Sequence, residues 1–277
     1  MADNKQLLLI INASGFLFQL RVEQEIHEKR NQHGWRIVGP EHRWVIPQEN
    51  REGFIDLVLE AGNIRAVLEC KRVREASWVF PVPEDRARIS PAGRLLWTHQ
   101  QAGEPVLSSY HDFALKPEAP ESGFCVVRGT GEKDRPLLEG LASVLVKSTE
   151  ALADQELYIG ESGEFGKLAI YLPVIITNAS LFICRFNRSA VNLTTGELDE
   201  ASFESVKAFK FRKSLPIRND AVSVPRDLGE LNKTSEQTLF VVNASNVIDF
   251  LKQCNIGGVV DSMLAPWNVA RKKNQVV

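Results

Sequence analysis

The stretch Gly53-Phe54-Ile55-Asp56-Leu57-Val58-Leu59-Glu60-Ala61-Gly62-Asn63-Ile64-Arg65-Ala66-Val67-Leu68-Glu69-Cys70-Lys71 decides how the rest of the chain is read. Two apolar runs, Phe54 to Glu60 and Ile64 to Lys71, flank Ala61-Gly62-Asn63, and Gly-Asn suits the two-residue turn of a β-hairpin. With Gly62 and Asn63 at the turn, Ala61 pairs with Ile64, and counting back along both strands sets Asp56 opposite Glu69. Side chains alternate between faces, so Lys71 is expected on the side of Glu69, and two acids and an amine share one patch. Ile55, Leu57, Val67 and Leu68 beside them imply a buried hairpin, where ionised groups are costly. Opposed carboxylates repel, and a divalent cation between them relieves the repulsion; oxygen-only ligands suit Mg²⁺ or Mn²⁺. Such an ion can polarise a phosphate and generate hydroxide, and a nearby ammonium can orient the water or stabilise phosphoryl charge. The plainer alternative is an internal salt-bridge network of Asp, Glu and Lys.

Upstream, residues 16 to 30 read as a helix with Phe16, Leu20, Val22 and Ile26 at helical spacing, started at Ser14-Gly15 and stopped at Gly34. At about 100° per residue, Glu23 falls inside that apolar stripe, whereas Glu25 and Glu28 fall on a solvated face. A carboxylate pointing inward from this helix could help hold a metal or its waters; the alternative is a buried Glu satisfied by His27 or Arg30. Trp35 to Ile46 reads as one or two strands, and Pro47 to Gly53 as a polar loop. Residues 81 to 120 are rich in Pro, Glu and Arg without a sustained period, which predicts irregular structure or an inserted lobe. A strand at Phe124 to Arg128 and a helix opening at Asp134 and Pro136 and running to about Ala153 follow. Strands at Leu168–Thr177, Leu181–Phe186 and Leu239–Val242 and a helix at Ser245–Gln253 complete the reading, with a frayed end from Arg271. Asn-Ala-Ser follows an apolar run at 12, 178 and 243, as element ends needing caps would explain.

Of 277 residues, 44% are hydrophobic and 25% charged, which excludes collagen-like and wholly disordered classes. The longest apolar runs are shorter than the roughly 20 residues of a membrane span, so no membrane partner is expected. Leu7 to Ile11 resembles a secretory core but is interrupted by Asn12, Ser14 and Gly15, and Asp3 opposes Lys5 before it. Four scattered cysteines, with no Cys-x-x-Cys, predict reduced thiols and a cytoplasmic setting rather than a zinc site or disulfides. A net charge of −2 leaves nucleic-acid binding to local clusters. One cluster is Lys207, Lys210, Arg212, Lys213 and Arg218, interleaved with Phe203, Phe209 and Phe211 as in a backbone-tracking groove; a strand with one basic solvated face is the alternative. Arg72 and Arg74 stand just past the acidic centre and could touch a substrate phosphate. Gly160 to Lys167 lacks the spacing and the Ser or Thr of a phosphate loop, and His99 and His111 lack partners at metal-ligand spacing.

A helix Glu, then Gly53-Phe54-Ile55-Asp56, thirteen residues to Glu69-Cys70-Lys71, a long helix and further strands resemble the PD-(D/E)XK nuclease superfamily over roughly residues 15 to 190. Ile55 stands where the motif's name has Pro. The resemblance implies a restriction-endonuclease-like α/β fold, a central mixed β-sheet flanked by helices, in a single domain with an insertion at about 81–120 and a C-terminal extension at about 200–277. It also implies phosphodiester cleavage with Mg²⁺ (or Mn²⁺) held by Asp56, Glu69 and the Cys70 main-chain carbonyl, Lys71 assisting the attacking water, and Glu23 matching the family's helix Glu by its eleven residues before Gly34. Nucleic acid is then the expected partner, with DNA the expected substrate; the alternative is a nuclease-like module that binds nucleic acid or protein without cutting. Nucleases that cut both strands often form homodimers, but no interface is readable in the sequence.

Overall fold

The computed structural model describes residues 3–73, 77–86, 90–100, 107–127, 137–160, 167–215 and 227–257. Arg74, Asp134, Pro136, Arg218 and residues 161–166 and 258–277 lie outside the described residues. Three helices open the chain: α1 (Asn4–Ala13), α2 (Phe16–Glu28) and the four-residue α3 (Arg30–His33). Asp3 caps α1 by accepting the Lys5 amide, and Gly34 ends α3 with the left-handed φ of 77° that a glycine adopts without strain. Next come β1 (Arg36–Ile46), β2 (Arg51–Ala61), β3 (Ile64–Lys71), β4 (Ser77–Pro83), β5 (Ala92–Gln100), β6 (Leu107–Lys116), β7 (Glu121–Ser122) and β8 (Val126–Val127). The second half contains α4 (Leu137–Gly160), β9 (Lys167–Thr177), β10 (Ser180–Phe186), β11 (Ser202–Val206), β12 (Ala208–Ser214), α5 (Leu228–Ser235), β13 (Glu236–Asn243), α6 (Val247–Gln253) and β14 (Asn255–Gly257).

The protein is mixed α/β, with a large mixed sheet flanked by helices. β1, β2 and β3 form an antiparallel meander, and β3 continues in parallel onto β9 from Ile64↔Ile170 to Lys71↔Thr177. The far edge of β9 is shared: its first residues pair with β5, its last with β13. The sheet therefore forks around β9, one branch running β5–β6–β14 and the other β13–β12–β7. A smaller sheet orders β11–β10–β4–β8, so the chain changes sheet between β9 and β10 at Asn178-Ala179.

Because the central strands are covered on both faces, their sequences are nearly continuous in apolar residues. On one face Val58, Val67, Tyr171 and Ile175 pack with Leu138, Leu145 and Leu152 of α4 and with Trp78 and Phe80 of the smaller sheet. On the other face Leu57, Leu68, Ile170 and Leu172 pack with Val22 and Ile26 of α2 and Val247 and Leu251 of α6.

Two expectations are corrected here. Residues 81–120, expected to be irregular or an inserted lobe, are not irregular: they supply the end of β4 and the strands β5 and β6, and because Leu95 and Trp97 enter one core and Leu96 the other, the alternation that marks a half-exposed strand is erased. The stretch from about 200, read as an extension, contributes β12 and β13 to the central sheet beside β9, with Phe240 to Asn243 paired in parallel to Val174 to Thr177.

Candidate active site at the end of the hairpin

The hairpin forms in the expected register, with Ala61 paired to Ile64 and the ladder running to Leu57↔Leu68. Gly62 takes φ 58° at the turn, the left-handed conformation that glycine tolerates. Asp56 and Glu69 stand one step beyond the last paired residues. They are therefore not a regular cross-strand pair, and alternation fails at that point: Ile55 packs in the same core as Val58, while Leu57 packs in the other. The Asp56 carboxylate instead turns toward the β3 main chain, where its Oδ2 accepts the Cys70 amide at 2.6 Å. A side chain thus replaces the next ladder bond as the two strands part.

Glu69 and Lys71 flank Cys70, and both act electrostatically with Asp56. All three are half-buried within an otherwise apolar sheet. Burial raises the Asp56 carboxyl above its ordinary value; the Cys70 amide opposes this, nearby Glu41 adds to it and Lys71 opposes it. Burial, reinforced by the Asp56 charge and partly offset by Lys71, pushes Glu69 up to about 7. Burial followed by the charges of Asp56, Glu69 and Glu23 drives the Cys70 thiol well above its ordinary range, so that thiol is no nucleophile. Excess negative charge in poor solvent is the condition a bound cation relieves.

Glu23 reaches this centre by its influence on Cys70, but from a different stripe than expected. The buried line of α2 is Gln19, Val22 and Ile26, whereas Phe16 and Leu20 face solvent and Glu23 is a half-buried flank. The rotation follows from Val22 and Ile26 seating one turn apart on the core that holds Trp35 and α6. Glu25, on the expected solvated side, pairs with Arg21 and Lys29.

Two contributors were not read from the sequence. Glu41 lies between Pro40↔Leu57 and His42↔Ile55, opposite Asp56, with an unusual φ of 46°. Gly39-Pro40 before it looks like a turn, so only the pairing of β1 with β2 reveals it. Asn178 clamps the exit of β3: its Oδ1 accepts the Val73 amide at 2.7 Å and its Nδ2 donates to the Val73 carbonyl at 2.9 Å. The Asn-Ala-Ser recurrence held the clue, since Asn243 likewise accepts the Ser245 amide and donates to the Ala179 carbonyl.

No family model, curated protein or solved structure matches the chain.

Among the described residues no three His, Cys, Asp or Glu side chains form a ready-made set of metal ligands. Asp56 and Glu69 bring two half-buried carboxylates to either side of the Cys70 amide, and oxygen donors of this kind fit Mg²⁺, which keeps several waters and commonly takes only one or two protein carboxylates.

The basic cluster is largely redirected into the fold. Lys210 is 1% exposed, donates to the Ser90 and Ala92 carbonyls and lies 3.3 Å from Glu121, so it belongs to the core and not to a nucleic-acid surface. Arg212 pairs with Glu236 at 2.8 Å and Asp112 at 3.5 Å, and Lys213 pairs with Glu139 and lies over the Phe124 ring. Phe209 and Phe211 are buried, Phe209 stacked on Phe80, and cannot offer faces to bases. Lys207 is exposed, and Arg72 is half-buried directly after Lys71. The four cysteines are free thiols, and no helix among the described residues is long and apolar enough to cross a membrane.

Proposed function

We propose that this protein is a metal-dependent nuclease of restriction-endonuclease-like fold, hydrolysing phosphodiester bonds with DNA as its substrate. The observation that carries the reading is the parting of β2 and β3 at Asp56, which gathers Asp56, Glu69 and Lys71 and leaves both carboxyls reluctant to ionise. Asp56 and Glu69, with the Cys70 carbonyl, would hold Mg²⁺ or Mn²⁺. When bound, the ion supplies Lewis acidity at the phosphoryl oxygen and an acidified water. Lys71 would orient the attacking water and stabilise charge on the phosphoryl oxygens, and the Cys70 amide fixes the Asp56 carboxylate. Arg72, half-buried directly after Lys71, would meet a neighbouring phosphate. Glu23 contributes from α2 by holding solvent at the edge of the site.

The test is incubation of the purified protein with plasmid, linear duplex, single-stranded DNA and RNA in Mg²⁺, Mn²⁺ and EDTA, beside Asp56→Asn and Lys71→Ala. Metal-dependent cutting lost in both variants supports the reading. Cutting undiminished in both, or no cutting of any substrate with either metal, overturns it.

A further inference from the structure

Phe54 stands in β2 two residues before Asp56, and it is 64% exposed. Ile55 between them is buried in the core beneath α4, so Phe54 and Asp56 turn to the opposite side of the strand. At about 3.3 Å per residue their Cα atoms are ~7 Å apart, within the span of one or two nucleotides. The strand is held rigidly at this point. A Cβ at Gly53 would lie 2.9 Å from the buried Trp44 ring, so the indole seats directly against residue 53 and fixes the chain where Phe54 leaves it. Arg43 is the cross-strand partner of Phe54, and the exposed Val45 follows on the same face, paired with Glu52. The Arg43 guanidinium meets Glu52 at 2.6 Å, both side chains being 63% exposed. Such a surface pair is worth little in water, so the guanidinium can turn to a phosphate at small cost.

We infer, resting on the cleavage reading above and narrowing it, that Phe54 is a stacking platform for an unpaired base and that the substrate is single-stranded DNA. An aromatic ring gains by stacking on a base whose face is open. Inside a duplex each base is already covered by its neighbours and offers its edges and phosphates, so the ring finds no partner there. An exposed ring beside cations is how single-strand sites hold nucleotides without reading their sequence: the ring takes the base, and Arg43 and Arg72 take the flanking phosphates. An exposed apolar side chain is ordinary in itself. What distinguishes Phe54 is its place, on the same side of the same strand as the carboxylate proposed to hold the metal, with a packed indole behind it and a cation opposite. Phe124, by contrast, lies under the Lys213 ammonium, and Phe203 stands on β11 of the smaller sheet.

The test is fluorescence anisotropy of labelled oligothymidine, about 15 nucleotides long, and of a labelled duplex of equal length. Both are titrated with the full chain carrying Asp56→Asn, so that nothing is consumed, alone and combined with Phe54→Ala, Phe54→Leu or Phe54→Trp. Oligothymidine should bind more tightly than duplex. Phe54→Ala and Phe54→Leu should weaken it about five- to a hundredfold, Phe54→Trp should retain it, and duplex binding should be indifferent to all three. Phe54→Leu separates a ring from mere apolar bulk, and quenching of a 2-aminopurine base in the oligonucleotide, lost in Phe54→Leu and kept in Phe54→Trp, reports the stack itself. Circular dichroism melting should be alike in all variants, because Phe54 is exposed. Duplex bound as tightly as oligothymidine, or Phe54→Leu equal to Phe54, overturns the inference. Cleavage by the chain with Asp56 intact separates the two readings. Equal cutting of duplex and single strand, no slower in Phe54→Ala, overturns the inference and leaves the nuclease standing. Binding through Phe54 with no cutting in Mg²⁺ or Mn²⁺ supports the platform and overturns the nuclease, and binding of neither probe overturns the inference.

Discussion

Glu69 carries a sign that can be measured. Its carboxyl is raised from an ordinary 4.5 to about 7, so across that window the folded chain holds a proton that the unfolded chain has released. Stability of the metal-free protein should therefore fall as pH rises from about 4.5 to about 7, by on the order of 2 kcal/mol from this group, with Asp56 contributing in the same direction. Urea denaturation across that range reads the slope, which Glu69→Gln should flatten and added Mn²⁺ should reverse. Asp56 separates chemistry from folding in a similar way. Asp56→Asn keeps an acceptor for the Cys70 amide and removes a reluctant charge, so its melting temperature should equal or exceed that of the wild type while cleavage disappears. Asp56→Ala leaves that amide without its acceptor and should cost about 1–3 kcal/mol. A destabilisation by Asp56→Asn as large as that by Asp56→Ala would sink the argument that burial dominates at this carboxyl.

Among elements, the critical relation is where β3 leaves the sheet. Asn178, in the two-residue link between β9 and β10, holds both main-chain groups of Val73, two residues past Lys71. Asn178→Ala should lower thermal stability by about 1–2 kcal/mol. If it also loosens Lys71, kcat should fall at little changed KM, with Asn178→Asp, which retains the acceptor alone, intermediate; equal kcat in all three would show that the clamp is structural only. The hairpin turn offers a cleaner local test. A Cβ at Gly62 meets no atom within 4 Å, so Gly62→Ala should cost only the left-handed strain, about 1–2 kcal/mol in denaturant melts, with the register retained.

Lys210 matters to the whole molecule, because its ammonium ties β12 to the chain entering β5 and to Glu121 of β7. Removing one partner of a buried pair strands the other, so Lys210→Ala should cost about 3–5 kcal/mol, and Lys210→Met, which keeps the volume, should recover part of it. DNA affinity per folded molecule should be unchanged in both, measured by anisotropy below the melting transition.

The sequence by itself determined the local structure. The Gly62-Asn63 turn and its apolar flanks settled the hairpin register, and helical spacing located α2 from Phe16, while Gly34 marked the chain's turn into β1 although it ends α3 and not α2. Those features depend on neighbours within a few residues, where turn chemistry and periodicity are decisive. Only the tertiary structure decided that β2 and β3 part at Asp56, that Glu41 faces it from β1, that α2 is rotated to leave Phe16 and Leu20 in solvent, and that Lys210 is a core residue. Each of these depends on a partner far along the chain. The same amphipathic or charged pattern is compatible with several faces until distant strands and helices arrive to bury one of them, and a strand covered on both sides, as β5 is, no longer carries a pattern to read.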